Sequence, residues 1–199
     1  GGGESCADIE TLAAGSDRPL LTGVCSDTTL WRTLNQDLTP GVVDAVWAAV
    51  ADVRAKVWAR SSATAGTDPV VLDIDASLVE IHSENKQGAA AHFKRGFGFH
   101  PMFCFADATG EALAAVLRPG NAAANNIADH ETVLDQAISQ LPAHIAVGHR
   151  RGDDRDLVRR DVRVRTDSAG CTRFVWSCRE RNVGFSVVAR TTAQIHAAL

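Results

Sequence analysis

Two aspartates two positions apart, Asp73 and Asp75, stand in the run Val70-Val71-Leu72-Asp73-Ile74-Asp75-Ala76-Ser77. The alternation predicts a strand with Val70, Leu72, Ile74 and Ala76 on one face and Val71, Asp73, Asp75 and Ser77 on the other. Both carboxylates then project from one face roughly 6.6 Å apart, at about 3.3 Å per residue. Aspartate is disfavoured inside strands and costly to bury without a partner. Three arrangements meet that cost: a divalent cation, an exposed face, or an arginine such as Arg163 or Arg165. A further carboxylate, Asp167, closes a second strand-like run, Arg163-Val164-Arg165-Thr166-Asp167. Such C-terminal strand edges are where α/β sheets place their ligands. If the second strand lies beside the first, Asp75 and Asp167 can coordinate the same Mg²⁺, which takes one or two carboxylates together with waters and phosphate oxygens. Ions held in this way let a water or a 3′-hydroxyl attack a phosphodiester and stabilise its leaving oxygen. Taken alone, Asp167 is also compatible with an Asx turn or a helix start.

Other residue groups point to less. His82, His92 and His100 are 10 and 8 residues apart, which matches no tight zinc spacing. Gly96-Phe97-Gly98-Phe99 lacks the third glycine and the following helix of a dinucleotide loop, and is expected to bend a strand. Ser77, His82 and Asp75 come from one short segment without a nucleophile elbow, so a hydrolytic triad is not expected. Cysteines at 6, 25, 104, 171 and 178 are odd in number and form no CxxC pair. Free thiols are expected, not a disulfide framework or a zinc finger.

The acidic residues need a scaffold, and the period of the chain supplies one. Ahead of them, Cys6, Ile9, Leu12 and Ala13 recur at helical spacing over 5–14. A short helix capped by Ser26 or Asp27 carries Leu30, Trp31 and Leu34. A longer one after Thr39-Pro40 is signalled by Val43, Val46, Val50, Val53 and Val57. This gives a small helical N-terminal region over 1–60, compatible with DNA binding. The small, polar stretch 61–69 reads as a linker, and 70–199 as the main domain. Strands are expected near 70–77, 97–106 and 111–117. A helix marked by Ile127, Leu134, Ile138 and Leu141 follows, with Asn121, Asn125 or Asn126 as its cap. A strand through Val162 and Val164, a helix tracing Cys171, Phe174, Val175 and Cys178, a strand over 185–189 and a final helix complete the order. The class is α/β with a mixed sheet and flanking helices.

The 199 residues are 45% hydrophobic and 22% charged, enough for one domain and a small appendage and too apolar for global disorder. No run approaches the roughly 18 to 20 apolar residues of a membrane span, so a cytoplasmic protein is expected. The net charge of −4 hides a gradient. Residues 1–91 hold 6 basic and 13 acidic side chains, whereas 148–199 hold 11 and 6, and all eleven basic ones are Arg. Arginine suits phosphate, although Asp153, Asp154, Asp156 and Asp161 are interleaved and would also make an ion-paired surface.

Five segments carry a family resemblance: Asp73-Ile74-Asp75-Ala76-Ser77-Leu78-Val79; His82-Ser83-Glu84-Asn85-Lys86-Gln87-Gly88-Ala89-Ala90; Phe93-Lys94-Arg95-Gly96-Phe97-Gly98-Phe99-His100-Pro101; Leu117-Arg118-Pro119-Gly120-Asn121; and Val164-Arg165-Thr166-Asp167-Ser168-Ala169-Gly170. In this order they resemble bacterial insertion-sequence transposases of the DDE domain group 1 family. The resemblance implies a ribonuclease H-like core that cuts and rejoins transposon-end DNA, with two Asp and one Glu holding Mg²⁺, for which Mn²⁺ can substitute. The first Asp corresponds to Asp75, through Asp75-Ala76-Ser77, and the second to Asp167; Asp73 is left in a supporting role. Lys94, Arg95, Arg163 and Arg165 are the expected DNA contacts. The implied partners are transposon-end and target DNA, with a homodimer for the full-length protein and association with the nucleoid during action. The family's Glu lies well beyond its second Asp. Only 32 residues follow Asp167 here, and their sole Glu, Glu180, comes too early to match. The chain is therefore expected to lack the third ligand, as a fragment or a decayed frame with weak or no catalysis of its own. An inactive DNA-binding or dimerising remnant and an unrelated ribonuclease H-like nuclease are the alternatives.

Overall fold

The computed structural model describes residues 6–9, 25–82, 85–167 and 173–188. The chain divides into two compact units, Gly1–Ala49 and Val50–Leu199. In the first, Ser26 Oγ accepts a hydrogen bond from the Thr29 amide at 3.2 Å and caps helix α1, Asp27–Arg32. A π turn over Thr33–Asp37 follows, then helix α2, Pro40–Trp58, which runs on into the second unit. Of the helix expected over 5–14, the described residues include a 3₁₀ turn, Cys6–Asp8; the remainder lies outside them.

The valine period announces α2 but not the side it buries. Val50, Val53 and Val57 are 41, 59 and 55% exposed, while Arg54 and Trp58 are buried. The Arg54 guanidinium donates to the Gln140 carbonyl and to Gln140 Oε1 at 3.1 and 2.9 Å. It also lies 3.4 Å from a Glu111 carboxylate oxygen, and the Trp58 indole donates to that carboxylate. The polar stretch after α2 is a tied loop. Thr64 Oγ1 donates to the Trp58 carbonyl at 2.7 Å, and Arg160 donates to the Thr64 carbonyl at 2.7 Å.

Beyond this loop come β1 (Val70–Ala76), β2 (Val79–Ile81), β3 (Ala90–Ala91), β4 (Phe97–Phe99), β5 (Met102–Ala106) and β6 (Ala112–Val116). Helices α3 (Ile127–Ser139) and α4 (Ala143–Ala146), strand β7 (Val162–Thr166), helix α5 (Phe174–Arg179) and strand β8 (Gly184–Val187) follow. Five strands form one sheet in the order β6-β5-β1-β7-β8. β5 and β6 are antiparallel to their neighbours, whereas β1, β7 and β8 run parallel. This is the expected α/β class: a mixed sheet with flanking helices, compatible with a ribonuclease H-like fold. Leu72, Ile74, Met102, Cys104, Val162 and Val164 bury one face of the sheet in a cluster with Val133, Leu134 and Ala137 of α3 and Phe174 of α5. On the other face Phe105, Arg163 and Arg165 are exposed. The helix expected from Cys171 and the strand expected to Ala189 are seen as α5 and β8; Cys171, Ala189 and the final helix lie outside the described residues.

The strand expected over 97–106 is two strands in different sheets. His100-Pro101 separates them, and β4 joins a second sheet of order β2-β4-β3. Its glycines serve close approach of backbones. A Cβ on Gly98 would stand 2.1 Å from the Val79 carbonyl oxygen, and one on Gly120 2.5 Å from that of Ala90. Gly98→Ala is therefore expected to destabilise the chain by about 1–3 kcal/mol, the usual cost of forced overpacking, read as a lower urea midpoint at unchanged m.

Candidate metal and phosphodiester site

Parallel pairing of β1 with β7 matches Asp73 to Arg165 and Ile74 to Thr166. The pairing ends there, and Asp75 and Asp167 each follow by one residue at the C-terminal edge of two adjacent strands, whose backbones lie about 4.8 Å apart. Both are exposed. Both line one cavity of about 210 Å³, together with Ile74, Phe93, His100 and His130. Asp75 Oδ1 accepts a hydrogen bond from the Ala76 amide at 2.8 Å, which orients the carboxylate at the strand end.

The choice among cation, solvent and arginine is resolved differently for the two β1 aspartates. Asp73 is taken by Arg165, which donates from Nε and Nη2 to its two oxygens at 2.6 and 2.7 Å. Arg165 Nη2 also reaches Asp107 at 2.8 Å. These bonds raise the Arg165 pKa, the Asp73 hydrogen bond contributing most. Register dictates this outcome, since Asp73 and Arg165 are direct cross-strand partners. Arg163, two residues earlier on the same face, is exposed beside Gly184.

Two histidines also line the cavity. His130, on the first turn of α3, is 3% exposed. Its Nδ1 is 2.8 Å from the Asn126 carbonyl oxygen, which can only accept, so Nδ1 carries the proton and Nε2 is an acceptor. Its ring lies 4.9 Å from that of Phe174. Burial lowers its pKa; the bond to Asn126 opposes this, Arg118 adds to it, and Asp167 and Asp129 oppose it. His100 is held similarly, Nδ1 facing the Ala122 carbonyl at 3.0 Å.

The start of α3 is fixed by two devices. Asn126 is the N-cap, its Oδ1 accepting from the Ala128 and Asp129 amides at 3.0 and 3.5 Å. The buried Arg118 donates to the His100 carbonyl at 2.8 Å, the Ala123 carbonyl at 3.0 Å and Asp129 at 2.9 Å. The exit of β6 is thereby bound to the helix that carries His130. Asn126 was among the expected caps; Arg118 and His130 were missed as site residues. The signal for His130 was present: it stands in the apolar stripe between Ile127 and Leu134, where a buried aliphatic residue is the ordinary choice.

A lowered His130 pKa has a definite consequence. The unfolded chain takes up the proton near the ordinary pKa of about 6.5, before the folded chain does, so stability falls as pH drops through that value towards the folded one. Urea unfolding of wild type is expected to lose stability between about pH 7 and pH 5 more steeply than that of His130→Gln.

Lys94 and Arg95 occupy the turn from β3 to β4, directly after Phe93, which lines the cavity. Lys94 Nζ lies 5.8 Å from the centre of the Phe93 ring, and Arg95 has φ of 67°. Among the described residues no three of His, Cys, Asp and Glu are grouped closely enough to enclose a metal ion. Asp75 and Asp167 are two exposed carboxylates beside a cavity. Two carboxylates would suit a hard ion such as Mg²⁺, which takes its remaining ligands from water and phosphate oxygens.

The family model described as Transposase DDE domain group 1 matches residues 6–199. No curated protein matches the chain.

Proposed function

The chain belongs to the transposase DDE domain group 1 family, and from that premise we propose that it carries out metal-dependent phosphodiester cleavage and strand transfer at transposon ends. Transposases act on DNA. Asp75 and Asp167 are the catalytic carboxylates and would hold the ion, Mg²⁺ or Mn²⁺ in its place. The observation that carries this reading is their convergence on one cavity from adjacent parallel strands. When bound there, the ion supplies charge for the developing nucleophile and the leaving oxygen.

The remaining residues orient and exclude. Arg165 neutralises Asp73 and Asp107, so Asp73 supports the strand end and is not the first choice of ligand. Neutral His130 offers Nε2 as a hydrogen-bond acceptor towards a water or hydroxyl in the cavity, and Phe174 and Arg118 hold its ring and helix in place. Lys94 and Arg95, in the turn beside Phe93, can meet the DNA backbone, and Arg163 lies near the start of β7. Arg165 would have to leave a carboxylate to do the same. The helical region 1–60, joined through 61–69 to the catalytic region 70–199, is assigned to DNA contact, and a homodimer to the full-length protein. Action at the nucleoid in the cytoplasm follows from that substrate; among the described residues no helix is long and apolar enough to cross a membrane.

Supercoiled plasmid carrying the element's ends tests the reading. Nicking that requires Mg²⁺ or Mn²⁺ and falls at least about a hundredfold in Asp75→Asn and in Asp167→Asn is the expected result. Cutting that ignores both substitutions would remove the assignment. A wild-type chain that binds DNA but never nicks it would favour the inactive remnant.

A further inference from the structure

We propose a second phosphate seat, at the opposite end of the sheet from the acidic pair, that takes the sugar-phosphate backbone of duplex DNA. It is a groove of about 320 Å³ where the starts of β7 and β8 meet, lined by Arg155, Arg163, Arg179, Asp161, Asn182 and Gly184 among others. Three guanidinium groups there face one carboxylate. Arg155 is occupied: it donates to Asp161 at 2.6 Å and to the Asn182 carbonyl at 3.0 Å. Among the described residues no carboxylate lies within ion-pair distance of Arg163 or Arg179.

The surroundings of those two side chains differ. Gly184 stands opposite Arg163 across the β7–β8 pairing. A Cβ there would lie 3.7 Å from Arg163 Nε, an ordinary van der Waals contact, so this position borders the Arg163 side chain without crowding it. Arg179 lies over the ring of Trp176, 5.2 Å from its centre, on a helix face where the indole is 61% exposed. Stacking of this kind fixes the plane of the guanidinium while leaving its N–H edge to solvent.

The chemistry of the groove's own arginines points to the ligand. Arg151, Arg165 and Arg181 are each matched to a carboxylate at 2.5 to 2.9 Å, so the interleaved acids do serve as internal partners where structure needs them. Among the described residues Arg150, Arg159, Arg160 and Arg173 also lack a carboxylate within ion-pair distance; Arg163 and Arg179 are the two such arginines that line this groove. A groove with surplus planar, permanently charged forks matches phosphate, which accepts bidentate N–H pairs, better than it matches a single carboxylate. Arg163 precedes Asp167 by four residues on an extended strand, roughly 13 Å. The groove is thus separate from the acidic pair yet within reach of one bound duplex. This inference rests on the reading that the substrate is DNA and adds where its backbone is held.

The test is anisotropy of a fluorescein-labelled duplex bound by the full chain, titrated between about 50 and 200 mM KCl, for wild type, Arg163→Gln/Arg179→Gln and Arg163→Lys/Arg179→Lys. Each lost phosphate contact lowers the slope of log K against log salt by about 0.9, so the Gln pair is expected to lose roughly 2 from the slope and about tenfold or more in affinity at the low-salt end. The Lys pair, which keeps the charge, should regain the slope. A Gln pair with the wild-type slope overturns the proposal, as does a Lys pair that fails to regain it. Gln-sensitive binding of poly-glutamate with DNA binding unmoved would assign the groove to an acidic protein instead and overturn it too. Asp75→Asn keeps the two readings apart: cleavage that survives it defeats the catalytic assignment, whereas the difference in salt slope between the Gln pair and wild type reports on the groove.

Discussion

Asp75→Asn and Asp167→Asn are each expected to weaken Mn²⁺ binding to the apo chain by at least about tenfold, whereas Asp73→Asn leaves it within about twofold; loss of a mere outer partner already costs roughly 10–100-fold in metal affinity, and loss of a ligand costs no less. The difference follows from where each carboxylate points. Asp75 and Asp167 border one cavity. Asp73 is spent on two hydrogen bonds from Arg165. Titration calorimetry or the Mn²⁺ spin-resonance signal reads the affinities without any requirement for turnover. Equal losses in all three variants would mean that Arg165 yields Asp73 to the ion. No loss in any would move the ion elsewhere.

The second large effect lies one position before Asp73. Leu72 is completely buried at the centre of the sheet, opposite Ala106 of β5 on one side and Val164 of β7 on the other. It shares its cluster with Val133 and Leu134 of α3. Leu72→Ala removes three buried carbons and leaves a cavity among elements that cannot close independently, at a cost of about 3–5 kcal/mol. Against a total of roughly 5–15 kcal/mol, that is a large part of the folded state's margin. Urea unfolding should show the midpoint falling while m is kept. Asp75→Asn, three residues away on the same strand, should change stability by no more than about 0.5 kcal/mol, because it alters an exposed side chain. A Leu72→Ala midpoint equal to wild type would mean that the sheet's interior is not closely packed at this point.

Comparing strand and helix patterns with the folded chain separates what local period carries from what register carries. Alternation at Val70, Leu72 and Ile74 marked β1 and its buried face, and the positions of Asp75 and Asp167 at strand ends were readable for the same reason. Which aspartate meets an arginine was not readable. It depends on how β7 slides against β1, and a shift of one residue would have turned Arg165 to the other face. Helical spacing of Val50, Val53 and Val57 marked α2, yet its buried side is Arg54 and Trp58. Hydrogen bonds from Arg54 to Gln140, distant in sequence, decide that side. Residues 97–106 looked like one strand because Phe97, Phe99, Phe103 and Phe105 continue the period across Pro101. The break appears only when Gly98 is seen pressed against the Val79 backbone. His130 was visible as a polar residue in an apolar stripe, but its place beside the acidic pair follows from Arg118 and Asn126 fixing the start of α3.

Crystals soaked in Mn²⁺ and measured for anomalous scattering give the most direct test of a shared ion. The expected result is a single peak at the C-terminal edge of β1 and β7, within about 2.0–2.6 Å of a carboxylate oxygen from Asp75 and another from Asp167, with Arg165 still on Asp73. A peak coordinated by only one of the two, or seated elsewhere on the chain while that edge stays vacant, would contradict it.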